Sequence, residues 1–284
     1  MQSTMTTVRN ERGGEAGPAR PAPASSERRS LAEVLAPLDQ LAAQSSSLIA
    51  DHGARFEVGG ESYDLPRYLF LGPSGGAEPI RLGIFAGIHG DETEGVHALV
   101  RFLTALEQRP ELATGYALFI YPVCNPTGFE DDTRVSRRGA DLNREFWQES
   151  AEPEVRLLES ELVAHAFDGV ISLHTDDTSE GFYGYAHGAL LTEHLIEPAL
   201  QAAEQFLPRN REAVIDGFPA QDGIIRDSFS GVLRGPPIAR QRPFEIILET
   251  PQSPPSYLKE AAFVMALQTI LTEYRQFIAY APNL

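Results

Sequence analysis

The stretch IFAGIHGDETE, residues 84–94, decides the fold prediction. An apolar run over residues 81–88 predicts a buried strand, and the glycine turn after it carries His89 and Glu92 in an H-x-x-E spacing. A neutral imidazole and a carboxylate three residues apart, at the carboxyl end of a strand, can face one Zn²⁺ and leave coordination positions open. The sequence therefore predicts a metal site on this turn.

Outward from this turn, short apolar runs alternate with segments of helical spacing. The runs predict strands over residues 116–123, 169–173, 182–186 and 244–248, and the helical segments cover residues 31–44, 94–106, 153–166, 190–206 and 256–277. This alternation predicts an α/β single domain with a mainly parallel, mixed, twisted sheet and helices on both faces. Ligands bind such sheets at the carboxyl ends of the strands, where His89, His174 and Glu249 all fall.

The remaining segments set the domain bounds. Residues 1–30 are rich in Gly, Pro, Ala, Ser and Arg, so we expect a disordered tail before a catalytic domain over residues 31–284. Residues 55–71 alternate weakly and predict a hairpin at a sheet edge. Residues 124–147 predict a long loop, and we expect it to be functional because loops of this length are uncommon in compact domains without a function. Residues 208–237 predict an extended surface excursion.

Composition excludes several classes of function. The net charge of −17 argues against nucleic acid or an anionic membrane as the main partner. Lys259 is the only lysine and no glycine-rich loop precedes it, which excludes a phosphate-binding lysine of the Walker type and argues against a Schiff base. Cys124 stands alone, so an intrachain disulfide and a cysteine-rich zinc site are excluded. With no apolar run long enough for a signal peptide or a spanning helix, we expect a cytoplasmic protein.

Six short motifs follow one another in a recognisable order. They are HGDE at 89–92, NP at 125–126, TR at 133–134, DLNR at 141–144, LH at 173–174 and the strand end at Glu249. In this order the chain resembles the zinc carboxypeptidase superfamily over residues 55–280. That superfamily includes the carboxypeptidase A-like enzymes, the murein-peptide amidases, and the succinylglutamate desuccinylase/aspartoacylase group.

The resemblance implies a role for each motif residue. It makes His89, Glu92 and His174 the ligands of one Zn²⁺ per chain and Glu249 the general base. It implies that Arg134 stabilises the oxyanion, with Arg137 as the fallback, and that Asn143 and Arg144 hold the free carboxylate of the substrate.

Alternatives to these roles stay open. Arg144 is also compatible with a structural ion pair, and Glu245 competes with Glu249 for the role of base. Four acids are candidate partners that orient the histidines, or else solvated side chains: Asp91, Glu94, Asp176 and Asp177.

The branch of the superfamily follows from what surrounds the base. Only 35 residues follow Glu249, which leaves no room for the further β-rich domain of the aspartoacylase group. We therefore expect a metallocarboxypeptidase or murein-peptide amidase that cleaves an amide bond next to a free carboxylate in a small peptide. The alternative is an N-acyl amino acid deacylase of the desuccinylase/aspartoacylase type.

Specificity is less well defined by the sequence. The tyrosine that carboxypeptidase A-like enzymes place before the base is missing, and Tyr183 and Tyr185 are the near candidates to replace it. Arg234 falls where the superfamily places its specificity residue, so we expect it to bind substrate and to favour an acidic terminal residue.

Two further classes of function were weighed. A catalytically idle binding protein of the same fold is disfavoured because all expected metal ligands and the base are present. The G-x-S-x-G match at residues 72–76 argues weakly for a serine hydrolase, since Pro79 and a second strand follow it where a nucleophile elbow requires a helix. The oligomeric state stays open.

Overall fold

A computed structural model describes residues 28–189, 191–239 and 242–280, with the side chain of residue 280 outside this description. The tail predicted for residues 1–30 lies outside the described residues except for Arg28, Arg29 and Ser30. Ser30 caps the first helix, since its side chain accepts a hydrogen bond from the Glu33 N–H. The helices are α1 Leu31–Gln44, α2 Glu94–Gln108, α3 Pro126–Asp131, α4 Pro153–His165, α5 Thr192–Ala203 and α6 Ser256–Tyr280.

Ten strands of the described chain form one mixed sheet. Its order is β1-β4-β6-β5-β7-β12-β8-β11-β10-β9, and β2 and β3 form a separate two-stranded sheet. The strands are β1 Leu48–Ala50, β2 Arg55–Val58, β3 Glu61–Asp64, β4 Tyr68–Leu71, β5 Ile80–Ala86, β6 Tyr116–Tyr121, β7 Gly169–Asp176, β8 Tyr183–Gly188, β9 Val214–Ile215, β10 Phe218–Gln221, β11 Ile224–Ile225 and β12 Phe244–Pro251.

The centre of the sheet is parallel. Strand β5 pairs in parallel with β6 and β7, and β7 pairs in parallel with β12. Antiparallel strands flank this centre, β4 beside β6 and β8 beside β12. The predicted α/β class with a mainly parallel mixed sheet is therefore confirmed.

Both faces of the sheet are covered by helices. Along β5, Leu82 and Ile84 join the larger core cluster, which also contains residues of α1, α2, α5 and α6. Phe85 points to the opposite face and joins a second cluster with Leu158 and Leu162 of α4. Successive side chains of a strand point to opposite faces, so the continuous apolar run of β5 supplies both cores.

Two segments differ from the prediction. The hairpin of residues 55–71 does not join the sheet edge, because β2 and β3 pair with each other and only β4 enters the large sheet. Phe56 and Tyr63 of the hairpin pack in a small cluster of their own. The excursion of residues 208–237 contains β9, β10 and β11, which extend the sheet edge. These strands are two to four residues long, too short to give a readable pattern.

Among the described helices, none combines the length and apolar character that crossing a membrane requires.

Candidate metal centre

The three predicted ligands meet at the carboxyl ends of two adjacent strands. His89 and Glu92 lie on the turn after β5, and His174 lies near the end of β7. Because β5 and β7 pair in parallel, with Ala86 opposite Leu173, their carboxyl ends coincide at the same sheet edge. All three side chains are buried, and their ligand atoms lie within 4.8 Å of one another.

The atoms that face each other in this cluster suit a cation. The Nδ1 atom of His89 lies 2.6 Å from Oε1 of Glu92, and Nδ1 of His174 lies 3.1 Å from Oε2 of Glu92. The two Nδ1 atoms are 3.3 Å apart. On the far side of the His89 ring, Nε2 lies 3.2 Å from Oδ1 of Asp141, so a neutral His89 keeps its proton there and turns a lone pair inward. Two imidazole nitrogens and a carboxylate converging without an assigned proton fit a metal ion.

The electrostatics of the cluster favour positive charge at its centre. Burial lowers the pKa of His89, but the carboxylates of Glu92 and Asp141 outweigh burial and raise it to about 9. Burial raises the pKa of Glu92, yet the imidazoles of His89 and His174 hold it well below its ordinary value. Burial lowers the pKa of His174, which keeps that ring neutral and able to bind a metal.

The backbone around the ligands is held from several sides. Asn125 donates its backbone N–H to the Gly87 carbonyl at 2.8 Å and its side-chain amide to the Ile88 carbonyl at 3.2 Å. The Thr175 N–H donates to Oε2 of Glu92 at 3.0 Å. Asn125 is the N-cap of α3 and Thr175 belongs to β7. Two elements therefore hold the turn that carries His89 and Glu92, which we call the metal turn.

Beside the cluster opens a cavity of about 390 Å³. Arg134, Asn143, Arg144 and Glu249 all line it together with His89 and Glu92. Arg134 reaches towards the ligands, with its guanidinium 3.2 Å from Asp141 and 3.6 Å from Glu92. One cavity is therefore lined by two of the three candidate metal ligands, by Arg134 and Arg144, and by the acid Glu249 that the motifs singled out.

Asn143 and Arg144 lie on a 3-10 turn, Leu142–Arg144, inside the long loop. The Asn143 Oδ1 accepts a hydrogen bond from the Leu233 N–H at 2.8 Å, which orients the amide. The Arg144 guanidinium lies 4.1 Å from the centroid of the Phe229 ring and donates to the Asn143 carbonyl at 2.8 Å. The aromatic face and the carbonyl restrict the guanidinium plane, leaving the remaining N–H groups for a ligand.

Glu249 lies in β12 directly opposite His174 in the parallel register. Burial raises the pKa of Glu249 well above its ordinary value, and the charges of Glu92, Asp176 and Asp216 raise it further. Its competitor Glu245 lies four residues earlier and accepts a hydrogen bond from the Gly235 N–H at 2.9 Å. Glu245 faces a separate cavity, so of the two acids the structure places Glu249 beside the metal ligands.

The structure places Arg137 and Arg234 outside this cavity. The Arg137 guanidinium pairs with Asp131 at 2.8 Å and with Glu130 at 3.1 Å. It also donates to Glu61 of β3 at 2.5 Å, and so links the long loop to the β2–β3 hairpin. Arg234 lines the separate cavity with Glu245. Neither Arg137 nor Arg234 is therefore among the residues that line the cavity beside the metal ligands, so the expected substrate contact of each has no support from its position.

Of the acids near the ligands, sequence reasoning missed the one that contacts a histidine. Asp91, Glu94, Asp176 and Asp177 line the cavity, but Glu94 pairs with Lys259 at 2.6 Å and Asp176 accepts from Tyr183 at 2.7 Å. Asp141 is the acid that faces His89. The signal was available, since Asp141 opens the DLNR motif and a carboxylate behind a ligand histidine is a common arrangement.

The wall of the cavity away from β5 combines two tyrosines that the sequence singled out with two residues that it missed. Tyr183 and Tyr185 are buried, and the Tyr185 hydroxyl donates to the carboxylate of Asp216 at 2.5 Å. Asp216 lies on the turn between β9 and β10 and lines the cavity with Phe229. Asp216 and Phe229 come from the excursion of residues 208–237, in which the sequence pattern indicated no strands.

Comparison with known proteins agrees with this fold. The model of the succinylglutamate desuccinylase/aspartoacylase catalytic domain matches residues 79–215. No curated protein sequence matches the chain significantly. A presumed metallopeptidase from Shewanella baltica OS155 superposes with a TM-score of 0.69 at 23% identity, over 86% of this chain and 92% of that chain.

Two solved carboxypeptidases are also similar. The metallo-carboxypeptidase from Burkholderia cenocepacia gives a TM-score of 0.67 at 17% identity, over 88% of this chain and 70% of that chain. The metallo-carboxypeptidase from Pseudomonas aeruginosa, solved with (2-guanidinoethylmercapto)succinic acid, gives 0.61 at 18% identity, over 86% of this chain and 69% of that chain.

The α/β fold is that of the solved metallopeptidases and metallo-carboxypeptidases, and the site contains three residues that could hold a metal ion. The family model covers residues 79–215 and the solved structures share the fold, so the resemblance to the zinc carboxypeptidase-like superfamily that the motif order indicated is supported.

Metal content is the direct test of this centre. We expect about one zinc per wild-type chain, and a loss of zinc in His89→Ala and in His174→Ala because each removes one of three ligands. Elemental analysis after dialysis against zinc measures it. His97→Ala is the matched control, since His97 is exposed on α2. Zinc retained in both ligand variants contradicts the assignment.

Proposed function

We propose that this protein is a zinc-dependent hydrolase that cleaves an amide bond next to a free carboxylate in a small substrate. The observation that carries the proposal is one cavity lined by His89, Glu92, Arg134, Arg144 and Glu249. A metal site alone is compatible with simple binding. A metal site beside a half-buried acid and two arginines has the groups that hydrolysis of an anionic substrate needs.

His89, Glu92 and His174 would hold the zinc ion, which when bound polarises the scissile carbonyl and makes a water acidic. Glu249 then takes the proton of the attacking water and passes it to the leaving amine. Its raised pKa suits both steps, since a carboxylate that binds a proton more strongly is a better base and can hold that proton until it passes to the leaving amine.

The two arginines act on different charges. Arg134 lies beside the ligand cluster and is exposed on one side, so its guanidinium can donate to the oxyanion that forms at the carbonyl. Removing one such donor typically costs about 3 to 4 kcal/mol of transition-state stabilisation. Arg144, held against Phe229, can bind the substrate carboxylate through two parallel hydrogen bonds, with the Asn143 amide as an additional donor.

The base is tested by a conservative substitution. Glu249→Gln keeps the shape of the side chain but cannot take a proton, so we expect kcat to fall by about 10²- to 10⁴-fold with zinc content unchanged. Glu245→Gln is the matched control, because it makes the same change on the same strand at a side chain that faces another cavity. Steady-state kinetics with metal analysis measures both. If Glu245→Gln loses all activity while Glu249→Gln stays active, Glu245 and not Glu249 is the general base.

Whether the acyl group is a peptide or a simple acid is a separate question. The solved carboxypeptidases support a peptide substrate, whereas the family model over residues 79–215 supports a deacylase of N-acyl amino acids. Both substrates end in the carboxylate that Arg144 would bind, so this contact does not distinguish them.

A substrate panel distinguishes them. Blocked dipeptides and tripeptides are compared with N-acetyl and N-succinyl derivatives of the same amino acids, by amine release at fixed enzyme and zinc. We expect the peptides to have the higher kcat/KM. A reversed ranking assigns the deacylase activity, and hydrolysis of neither class by the zinc-loaded protein contradicts both.

For the terminal side chain, we infer a preference for a basic residue in place of the acidic one expected from Arg234. Arg234 lies in another cavity, while the carboxylate of Asp216, bound by Tyr185, lines this one. The Pseudomonas aeruginosa protein binds a molecule with a guanidino group and a succinic acid moiety. An acid at the cavity wall and Arg144 at the carboxylate site would complement a ligand of that charge distribution.

The preference is tested on substrates that end in Lys, Arg, Phe and Glu. We expect the basic ones to have the highest kcat/KM, and Asp216→Asn to lower their kcat/KM about tenfold while hardly changing that for Phe, because a charge-assisted hydrogen bond is worth about 1.5 to 3 kcal/mol. Asp222→Asn is the matched control, since Asp222 also precedes a glycine in a turn with positive φ but pairs with Arg211. A preference for Glu restores the original expectation.

A further inference from the structure

We propose that Arg29, which precedes α1, is a positioning residue that holds the metal turn between His89 and Glu92 from outside. None of the sequence motifs includes Arg29, and it lies in residues 1–30, the segment whose composition predicted disorder. The proposal concerns the metal-binding part of the function only, and it applies equally to a peptidase and to a deacylase.

The contact falls between the two ligands of the turn. The Nη1 group of Arg29 donates to the carbonyl of Gly90 at 3.2 Å. Gly90 directly follows His89 and precedes Glu92 by two residues, so this peptide connects the two ligand positions. The hydrogen bond is partly buried and joins residues 61 positions apart in the sequence, so it ties the start of the chain to the metal turn.

The other contacts of Arg29 fix its position on α3. Its guanidinium pairs with Asp132 at 2.6 Å, its backbone N–H donates to the Glu130 carbonyl at 2.9 Å, and its Cζ atom lies 5.6 Å from the centroid of the Phe129 ring. These partners lie in or directly after α3. A guanidinium has several donors in a rigid fork, so one side chain can bind Asp132 and Gly90 at the same time.

The opposite side of Gly90 is already packed against the same helix. A Cβ atom added to Gly90 would lie 2.0 Å from the carbonyl carbon of Gly128 and 2.2 Å from the Phe129 nitrogen. The metal turn therefore rests directly on the backbone of α3, and Arg29 bridges from that helix to the Gly90 carbonyl. Metal coordination tolerates only about 0.2 Å of error in ligand distances, so a turn free to move away from α3 would bind metal less well.

Arg28 provides a matched control on the same segment. It pairs with Glu61 at 2.8 Å and with Asp131 at 3.2 Å. These contacts join the segment to the β2–β3 hairpin and to α3, and none of them involves the metal turn. Arg28→Ala and Arg29→Ala therefore remove the same charge from neighbouring positions, and Arg28→Ala breaks two ion pairs where Arg29→Ala breaks one.

The experiment uses the full chain with two readouts. The zinc dissociation constant is measured by competition with a chelator of known affinity, and hydrogen exchange of the amides of residues 88–94 is measured on the metal-free protein. For Arg29→Ala we expect about a tenfold rise in the zinc dissociation constant, at the low end of the effect of residues that support metal ligands. We also expect faster exchange in the turn. Arg28→Ala should change neither.

The outcomes separate a positioning role from a general one. Equal zinc affinity and equal exchange in wild type and Arg29→Ala overturn the proposal, as do equal losses in both arginine variants. If the wild type binds no zinc, the metal site itself is wrong, and the exchange measurement alone decides whether Arg29 holds the turn. If Arg29→Ala does not fold, Arg29→Lys carries the same comparison, since it keeps the charge but lacks the fork.

Discussion

Parallel pairing of β5, β7 and β12 is the constraint on which the site depends. The three strands run in one direction and in register, so the turn after β5, His174 and Glu249 reach the same edge of the sheet. Sheets of this kind are buried on both faces, which explains why the middle of each of these strands is mainly apolar, although Arg81 and Glu245 lie near the starts of β5 and β12. The polar residues at the carboxyl ends of the strands are therefore the ones available to contact a metal ion or a substrate.

The charge of the site has to be understood against the charge of the whole chain. A protein with a net charge of −17 repels anions at a distance, yet the proposed substrate carries a carboxylate. Arg134 and Arg144 supply positive charge locally, and a bound metal ion would add more. Several other arginines are neutralised by neighbouring acids, as Arg137 is by Asp131 and Glu130. Arg134 and Arg144 line the cavity among several acids, and so place guanidinium groups where the oxyanion and the carboxylate would lie.

Much of this could be predicted from the sequence, for a physical reason. Apolar periodicity sets which segments are buried, and a parallel sheet brings strand ends together, so His89, His174 and Glu249 could be expected to converge. The location of each arginine could not be derived this way. Arg134 and Arg137 are three residues apart in one loop, and only the acids packed around Arg137 decide that it points away from the cavity. The same holds for Arg234.

Other features were beyond the sequence because they rest on contacts between distant segments. Asp216 enters the cavity through strands of two to four residues, and Arg29 is ordered by a helix a hundred residues further on. Composition indicates correctly that such segments form little regular structure on their own. It does not report that a neighbouring surface supplies the missing contacts, which are the source of most of the order in short elements.

The arrangement of the sheet also separates the proposed general base from the residue proposed to set selectivity. Strand β12, which carries Glu249, is hydrogen-bonded on both sides, to β7 and to β8, whereas the hairpin of β9 and β10 that presents Asp216 lies at the outer edge. An edge hairpin can change in length and composition at little cost to the strands inside it. Descendants of such a protein can acquire new substrates by altering this hairpin while they inherit the catalytic centre unchanged.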